Sequence, residues 1–150
     1  MLSHHCKVLV FRLDFHLYDG TENNRIISDF IRRYRKWAKR QGFMRLGFIW
    51  CREQEHSHAQ HYHCVFILDG NKTRHPHRHI EQIEGLWEER QLGSVYTPKN
   101  CYIVLKRGDD EAYQRLFDRL SYLAKVATKN LRAPATNDYS TSRIKPKLRD

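Results

Sequence analysis

With 150 residues, 40% hydrophobic and 12% aromatic, the chain has enough length and apolar content for one domain with a buried core, which excludes a disordered protein despite 29% charged residues. Its 27 Lys and Arg outweigh 17 Asp and Glu, and the formal net charge of +10 favours nucleic acid as partner over an anionic membrane. No apolar run approaches the ~18 residues of a membrane span, and Met1-Leu2-Ser3-His4-His5 lacks the layout of a signal peptide, so a cytoplasmic protein without a membrane partner is expected.

From Lys7 to Leu17 the residues alternate, with Leu9, Phe11, Leu13, Phe15 and Leu17 on one face and Val8, Val10, Arg12, Asp14 and His16 on the other. This predicts a strand with one polar face. After the Asp19-Gly20 turn, Thr21 is placed to cap a helix that ends near Gly42. Its apolar arc is Ile27, Phe30, Ile31, Tyr34, Trp37 and Ala38, and its outer face carries Arg25, Arg32, Arg35, Lys36, Lys39 and Arg40. Residues 44–54 and 59–68 read as a hairpin around Glu55-His56-Ser57-His58. The break at Asp69-Gly70-Asn71-Lys72 leads to a second helix with Ile80, Ile83, Leu86 and Trp87 inward, stopping by Gly93. A short strand at 100–106 follows, then a third helix at 111–129, opened by Asp109 and Asp110, whose charge suits a helix N-terminus. Residues 1–129 form one domain, and 130–150, with Pro134, Pro146 and several basic residues, read as a flexible basic tail. Cys6, Cys51, Cys64 and Cys101 show no Cys-x-x-Cys spacing and read as reduced, mostly buried thiols.

The order strand, helix, strand, strand, helix, strand, helix predicts an α+β fold. An antiparallel sheet of the split β-α-β (ferredoxin- or RRM-like) kind would carry helices packed on it and leave one face partly open. That topology hosts binding modules and enzymes alike, so function must come from particular side chains.

The stretch Gln60-His61-Tyr62-His63-Cys64-Val65-Phe66-Ile67 places His61 and His63 on one face of a strand and Tyr62, Cys64 and Phe66 on the other. Two imidazoles so placed can share a metal ion. If the hairpin turns about Ser57, Glu53 lies opposite His61 and completes a two-histidine, one-carboxylate set with positions open for substrate oxygens. Glu55 is the rival carboxylate. In a chain with 10 histidines the bland alternative is polar residues on a half-exposed strand, and for His75, His77 and His79 beside Pro76 plain solvation is the better reading.

On the third helix, Tyr113, Leu116, Leu120, Leu123, Ala124 and Ala127 form the apolar arc, whereas Tyr122 sits nearly opposite with Asp118, Lys125 and Lys129. A phenol and a cation thus share one helical face. The alternative is a tyrosine lying over a surface lysine stem.

These motifs, in this order and spacing, resemble the HUH endonucleases, and most closely the rolling-circle replication initiators of filamentous phages and plasmids. The resemblance runs from the first strand to about residue 129 and rests on Val8 to Phe15, on His61-Tyr62-His63, and on Tyr122-Leu123-Ala124-Lys125. The run Trp50-Cys51-Arg52-Glu53-Gln54 also looks like the phage family and favours Glu53 over Glu55. The resemblance implies that His61, His63 and Glu53 hold Mg²⁺ or Mn²⁺, and that Tyr122 attacks a single-stranded origin, keeping the 5′ end as a phosphotyrosine and freeing a 3′ hydroxyl. Lys125 would stabilise charge at the phosphate. Arg12, Arg32, Lys36, Lys39 and Lys129 are the expected phosphate contacts. A host polymerase and helicase are implied as partners, since no phosphate-binding Gly-x-x-x-x-Gly-Lys-Ser/Thr loop is present. The alternatives are a single-tyrosine transposase of the same chemistry and a non-catalytic RRM-like nucleic-acid-binding domain.

Overall fold

The long strand β1 (Lys7–Leu17) is the axis of the fold, because it has partners along both edges. In the computed structural model, whose described residues are 1–53, 59–127 and 137–148, with 124–127 in backbone only, the chain continues through α1 (Arg25–Arg40), β2 (Gly47–Glu53), β3 (His61–Asp69) and α2 (His77–Glu88). Then come β4 (Gly93–Tyr96), β5 (Tyr102–Lys106), α3 (Asp110–Ala127) and β6 (Tyr139–Thr141). Among the described residues the sheet has 6 strands, ordered β4-β1-β3-β2-β6, and all of the pairings are antiparallel. β4 and β5 share one edge of β1, β4 beside Asp14 to Leu17 and β5 beside Lys7 to Phe11. This is the α+β, split β-α-β arrangement expected, with helices packed on an antiparallel sheet.

Period-two alternation produces the two layers. The odd residues of β1 and the even residues of β3 (Tyr62, Cys64, Phe66, Leu68) are buried with Ile27, Phe30, Ile31 and Tyr34 of α1 and Ile83 and Trp87 of α2. The opposite face changes character along the strands. Val8, Val10, Val65 and Leu105 are buried beneath Ala112 and Leu123 of α3, with Leu116 and Leu120 partly buried beside them. Beyond that apolar half come the polar residues Arg12, Asp14 and His16 of β1 and His61 and His63 of β3. The expected polar face of β1 is therefore polar only from Arg12 onward, and α3 covers the rest.

Several local expectations need correction. Thr21 does not cap α1: its hydroxyl donates to the Asn23 carbonyl at 2.8 Å, and Asn24, the N-cap residue, makes no side-chain cap bond, while Asn23 Oδ1 accepts from the first helical N–H, that of Arg25, at 2.9 Å. The far end of α1 is closed by backbone. Gly42, at φ +87°, donates to Lys39 O and Phe43 donates to Ala38 O, and Lys39 and Arg40 place positive charge on the last turn. β4 was not foreseen, because four residues that begin with glycine carry too little alternation to signal a strand. β6 falls inside the segment read as a tail and pairs with β2 through Ile49 to Cys51. Tyr113, assigned to the buried arc of α3, is half exposed and stacked on exposed Phe117, so the buried stripe of α3 is narrower than the periodicity implied. Among the described residues, no helix is long and apolar enough to cross a membrane.

His79 is also misread as solvated. It is 3% exposed, its Nδ1 lies 2.8 Å from the hydroxyl of buried Tyr34, and the rings of Trp37 and Phe43 meet it edge-on. Burial in this apolar shell lowers its pKa from 6.5 to about 4. Above pH 6.5 the ring is neutral in both the folded and the unfolded chain, and its contribution to stability is fully present. Between pH 6.5 and 4 the unfolded chain takes up a proton that the fold refuses, so stability is lost as pH falls. The shift corresponds to at most ~3 kcal/mol, and about 2 kcal/mol once solvent screening is allowed for. Urea denaturation of the native chain and of His79→Gln from pH 7 to 4 should give converging stabilities; parallel curves would exclude this role.

Candidate metal centre and nucleic-acid face

Strand pairing sets out the site in rows. At the polar end of the sheet, His16, His61 and Glu53 occupy matching positions on β1, β3 and β2. In the next row, Tyr96, Asp14, His63 and Cys51 align across β4, β1, β3 and β2. The expected register of Glu53 opposite His61 is therefore observed. Directly paired residues point to the same face, so two histidines of β3, one histidine and one aspartate of β1 and one glutamate of β2 share a single patch.

Their contacts form a chain of charges. The Arg12 guanidinium grips Asp14 with two hydrogen bonds of 2.8 Å, Asp14 Oδ1 lies 2.9 Å from His63 Nδ1, and His63 Nε2 lies 2.6 Å from Glu53 Oε2. The hydrogen bond that His63 donates to Asp14 is the largest cause raising its pKa, and the one to Glu53 adds to it against the opposing effect of burial. Burial alone would raise the Asp14 carboxyl, but hydrogen bonds from His63 and Arg12 outweigh it and hold its pKa low. The His16 and His61 rings lie 4.2 Å apart, and His16 titrates lower than usual because it is buried and because His61 adds like charge.

In this arrangement the described residues include no three His, Cys, Asp or Glu side chains grouped to hold a metal ion. His63 Nε2 instead faces Glu53 directly. The donor set nevertheless fits a divalent ion, since an imidazole nitrogen and a carboxylate oxygen that face each other need only part to take an ion between them. Asp14 fits the partner of a ligating histidine, fixing the ring through Nδ1 and leaving Nε2 for the metal.

The end of the sheet that bears these groups is tied down from the other face. Tyr62 donates to Asn24 Oδ1 at 2.9 Å, Arg52 donates to Asn24 Oδ1 at 3.2 Å and to the Thr21 carbonyl at 2.8 Å, and Gln60 accepts from Thr21 N at 2.8 Å. The loop before α1 is thereby pinned beneath the strand ends that present Glu53 and His61. Close approach of β4 adds a second constraint: a Cβ on Gly93 would lie 1.7 Å from the His16 carbonyl oxygen. Gly93→Ala should cost more than about 2 kcal/mol, because backbone and not a mobile side chain must give way. A melting temperature within a degree of the native value would refute the close contact.

Tyr122 is 68% exposed, on α3 immediately before buried Leu123, as expected for a residue off the apolar stripe. The side chain of Lys125 lies outside the described residues, as do Glu55, Lys129 and the segments 54–58 and 128–136. Arg12 belongs to the site, but as the clamp on Asp14. Arg32, Lys36 and Lys39 are exposed on α1, which packs on the other face of the sheet, so the structure does not bring them to the histidines. Asp14 and His16 are the site residues that sequence reasoning passed over. Asp14 and His16 were placed on the right face of β1, but their neighbours depend on pairing. Tyr96, 58% exposed, reaches the row only through unforeseen β4. The family described as the YagK/YfjJ C-terminal domain matches residues 1–137. No curated protein and no solved structure matches the chain.

Proposed function

The chain belongs to the YagK/YfjJ C-terminal domain family, and on that premise we propose that it is a nucleic-acid enzyme of the histidine-hydrophobe-histidine class that nicks single-stranded DNA to start rolling-circle replication. The observation that carries this reading is the pair of rows in which Glu53, His61 and His16, and beside them His63 and Asp14, share one face of the sheet. The net charge of +10 supports a polyanionic substrate.

His61, His63 and Glu53 would hold Mg²⁺ or Mn²⁺, which when bound supplies positive charge to an oxygen of the scissile phosphate. Asp14, itself held by Arg12, fixes the His63 ring and keeps its proton on Nδ1. Tyr122 attacks phosphorus: its phenol loses a proton, the new bond joins its oxygen to phosphorus, and the bond to the 3′ oxygen breaks as that oxygen takes up a proton. The phosphodiester energy is retained in a protein ester on the 5′ end. Lys125 assists by charge at the phosphate.

The test is incubation with single-stranded DNA and Mn²⁺ on a denaturing gel. A band of protein covalently joined to DNA supports nicking, and its absence from every strand tried overturns it. A non-catalytic nucleic-acid-binding domain is the second reading. It is favoured by the net charge of +10 on an antiparallel sheet with one partly open face, which strand binding alone accounts for.

A further inference from the structure

On the layer away from the histidine rows, α1 gathers positive charge on one side. Its 16 residues hold seven Lys or Arg and one Asp, so this helix alone supplies more than half of the net charge of +10. Arg25, Arg32, Arg35, Lys36, Lys39 and Arg40 are all exposed, on the side opposite the buried stripe that begins at Ile27. Arg32 meets Asp29 at 2.9 Å and Arg33 meets Glu89 at 2.5 Å, whereas Lys36, Lys39 and Arg40 have no carboxylate partner among the described residues. Arg32, Lys36 and Arg40 follow one another at i, i+4, a spacing at which like charges repel and weaken a helix. The positive surface runs on past the helix end, where Arg78 donates to Gln41 Oε1 at 2.7 Å and Lys72 donates to Gly42 O at 2.6 Å.

A polyanion relieves that repulsion, and the rest of the face says which kind. None of the exposed large apolar or aromatic side chains lies on α1, and partly buried Trp37 has the Arg78 guanidinium 5.9 Å over its ring. A single strand is held by stacking its unpaired bases on exposed rings as well as by charge, so this face lacks half of what a single strand uses. It also lacks any apolar side chain to enter a bilayer. A duplex keeps its bases inside and presents phosphates alone along its ridges. Over the roughly 22 Å length of α1, a duplex carries about 13 negative charges, in fixed positions that a rigid helix can meet without ordering a flexible chain.

We propose that the outer face of α1 binds the phosphate backbone of duplex DNA, without regard to sequence, on the layer opposite the histidine rows. Lys and Arg contacts to phosphate position a duplex and carry no base information. Neither the metal nor the nucleophile of the nicking reaction is needed for this contact. The two faces of the sheet then serve different forms of DNA, and double-stranded DNA held on α1 leaves the histidine face free.

The intact chain, without divalent metal, is mixed with a labelled short duplex of arbitrary sequence or with one of its strands, and binding is followed by fluorescence anisotropy at several salt concentrations. Lys36→Gln combined with Lys39→Gln should weaken duplex binding about tenfold and lower the slope of log affinity against log salt by about 1.8, the share of two phosphate contacts. Affinity for the single strand should change by less than about twofold, and the melting temperature should hold, since both side chains are exposed. Arg115→Gln combined with Arg119→Gln removes equal charge from exposed positions of α3, on the other layer, and should leave duplex binding as it was. Unchanged duplex affinity in the α1 variant, equal losses from the two double variants, or equal losses on duplex and single strand each overturn the α1 surface. Binding of the native chain to phosphatidylserine vesicles without binding to duplex overturns it as well. Duplex binding lost in the α1 variant, with no covalent adduct from the native chain in Mn²⁺, supports the surface and overturns nicking. An adduct without duplex binding does the reverse.

Discussion

Tyr122→Phe should abolish the covalent protein–DNA adduct while melting temperature and affinity for single-stranded DNA stay close to native. The substitution removes one hydroxyl from a side chain that is 68% exposed and keeps the ring, so little packing is at stake. A nucleophile lost in this way lowers turnover by about 10⁴-fold or more, because no neighbouring group inherits its bond to phosphorus. Tyr113→Phe is the matched control. It too is half exposed and lies on the same helix, so it separates loss of the nucleophile from loss of any surface phenol. Tyr96 is the informative rival, since β4 places it in the same row as Asp14 and His63. Adduct retained in Tyr122→Phe and lost in Tyr96→Phe would move the nucleophile from α3 to the sheet.

His63→Ala and Glu53→Ala should each remove metal-dependent nicking and leave a folded domain. Both residues lie on the partly open end of the sheet, and Asp14 keeps its two hydrogen bonds from Arg12 when His63 is gone. The cost in stability should therefore be about 1 kcal/mol, the net worth of the lost hydrogen bonds. Calorimetric titration with Mn²⁺ gives a readout independent of catalysis, in which these variants and His61→Ala should show no saturable binding. Asp14→Asn preserves shape and removes charge behind His63, so it should weaken Mn²⁺ by 10–100-fold without eliminating it. Chelation of the metal should stop nicking and leave strand binding. If Glu53→Ala binds Mn²⁺ as the native chain does and Glu55→Ala does not, the carboxylate ligand is Glu55.

The alternation of Lys7 to Leu17 and of His61 to Leu68 by itself determined which side chains face the helical layer. A strand's period of two is local and no partner is needed to express it. The spacing of Glu53, Ser57 and His61 likewise determined the β2–β3 register, since a hairpin's pairing follows from where it turns. Only the tertiary structure decided what lies across from β1, because its partners on β3, β4 and β5 come from distant sequence. That is why Asp14 and Tyr96 as neighbours of His63 were not legible. His79 was read as solvated for the same reason: beside Pro76 it looks like a loop residue, and it is buried only because Phe43 and Trp37 arrive from other parts of the chain. The basic outer face of α1 was legible as a face, but its direction relative to the histidines was not. Helical periodicity orders residues around one axis, and only packing on the opposite side of the sheet turned Arg32, Lys36 and Lys39 away from the site.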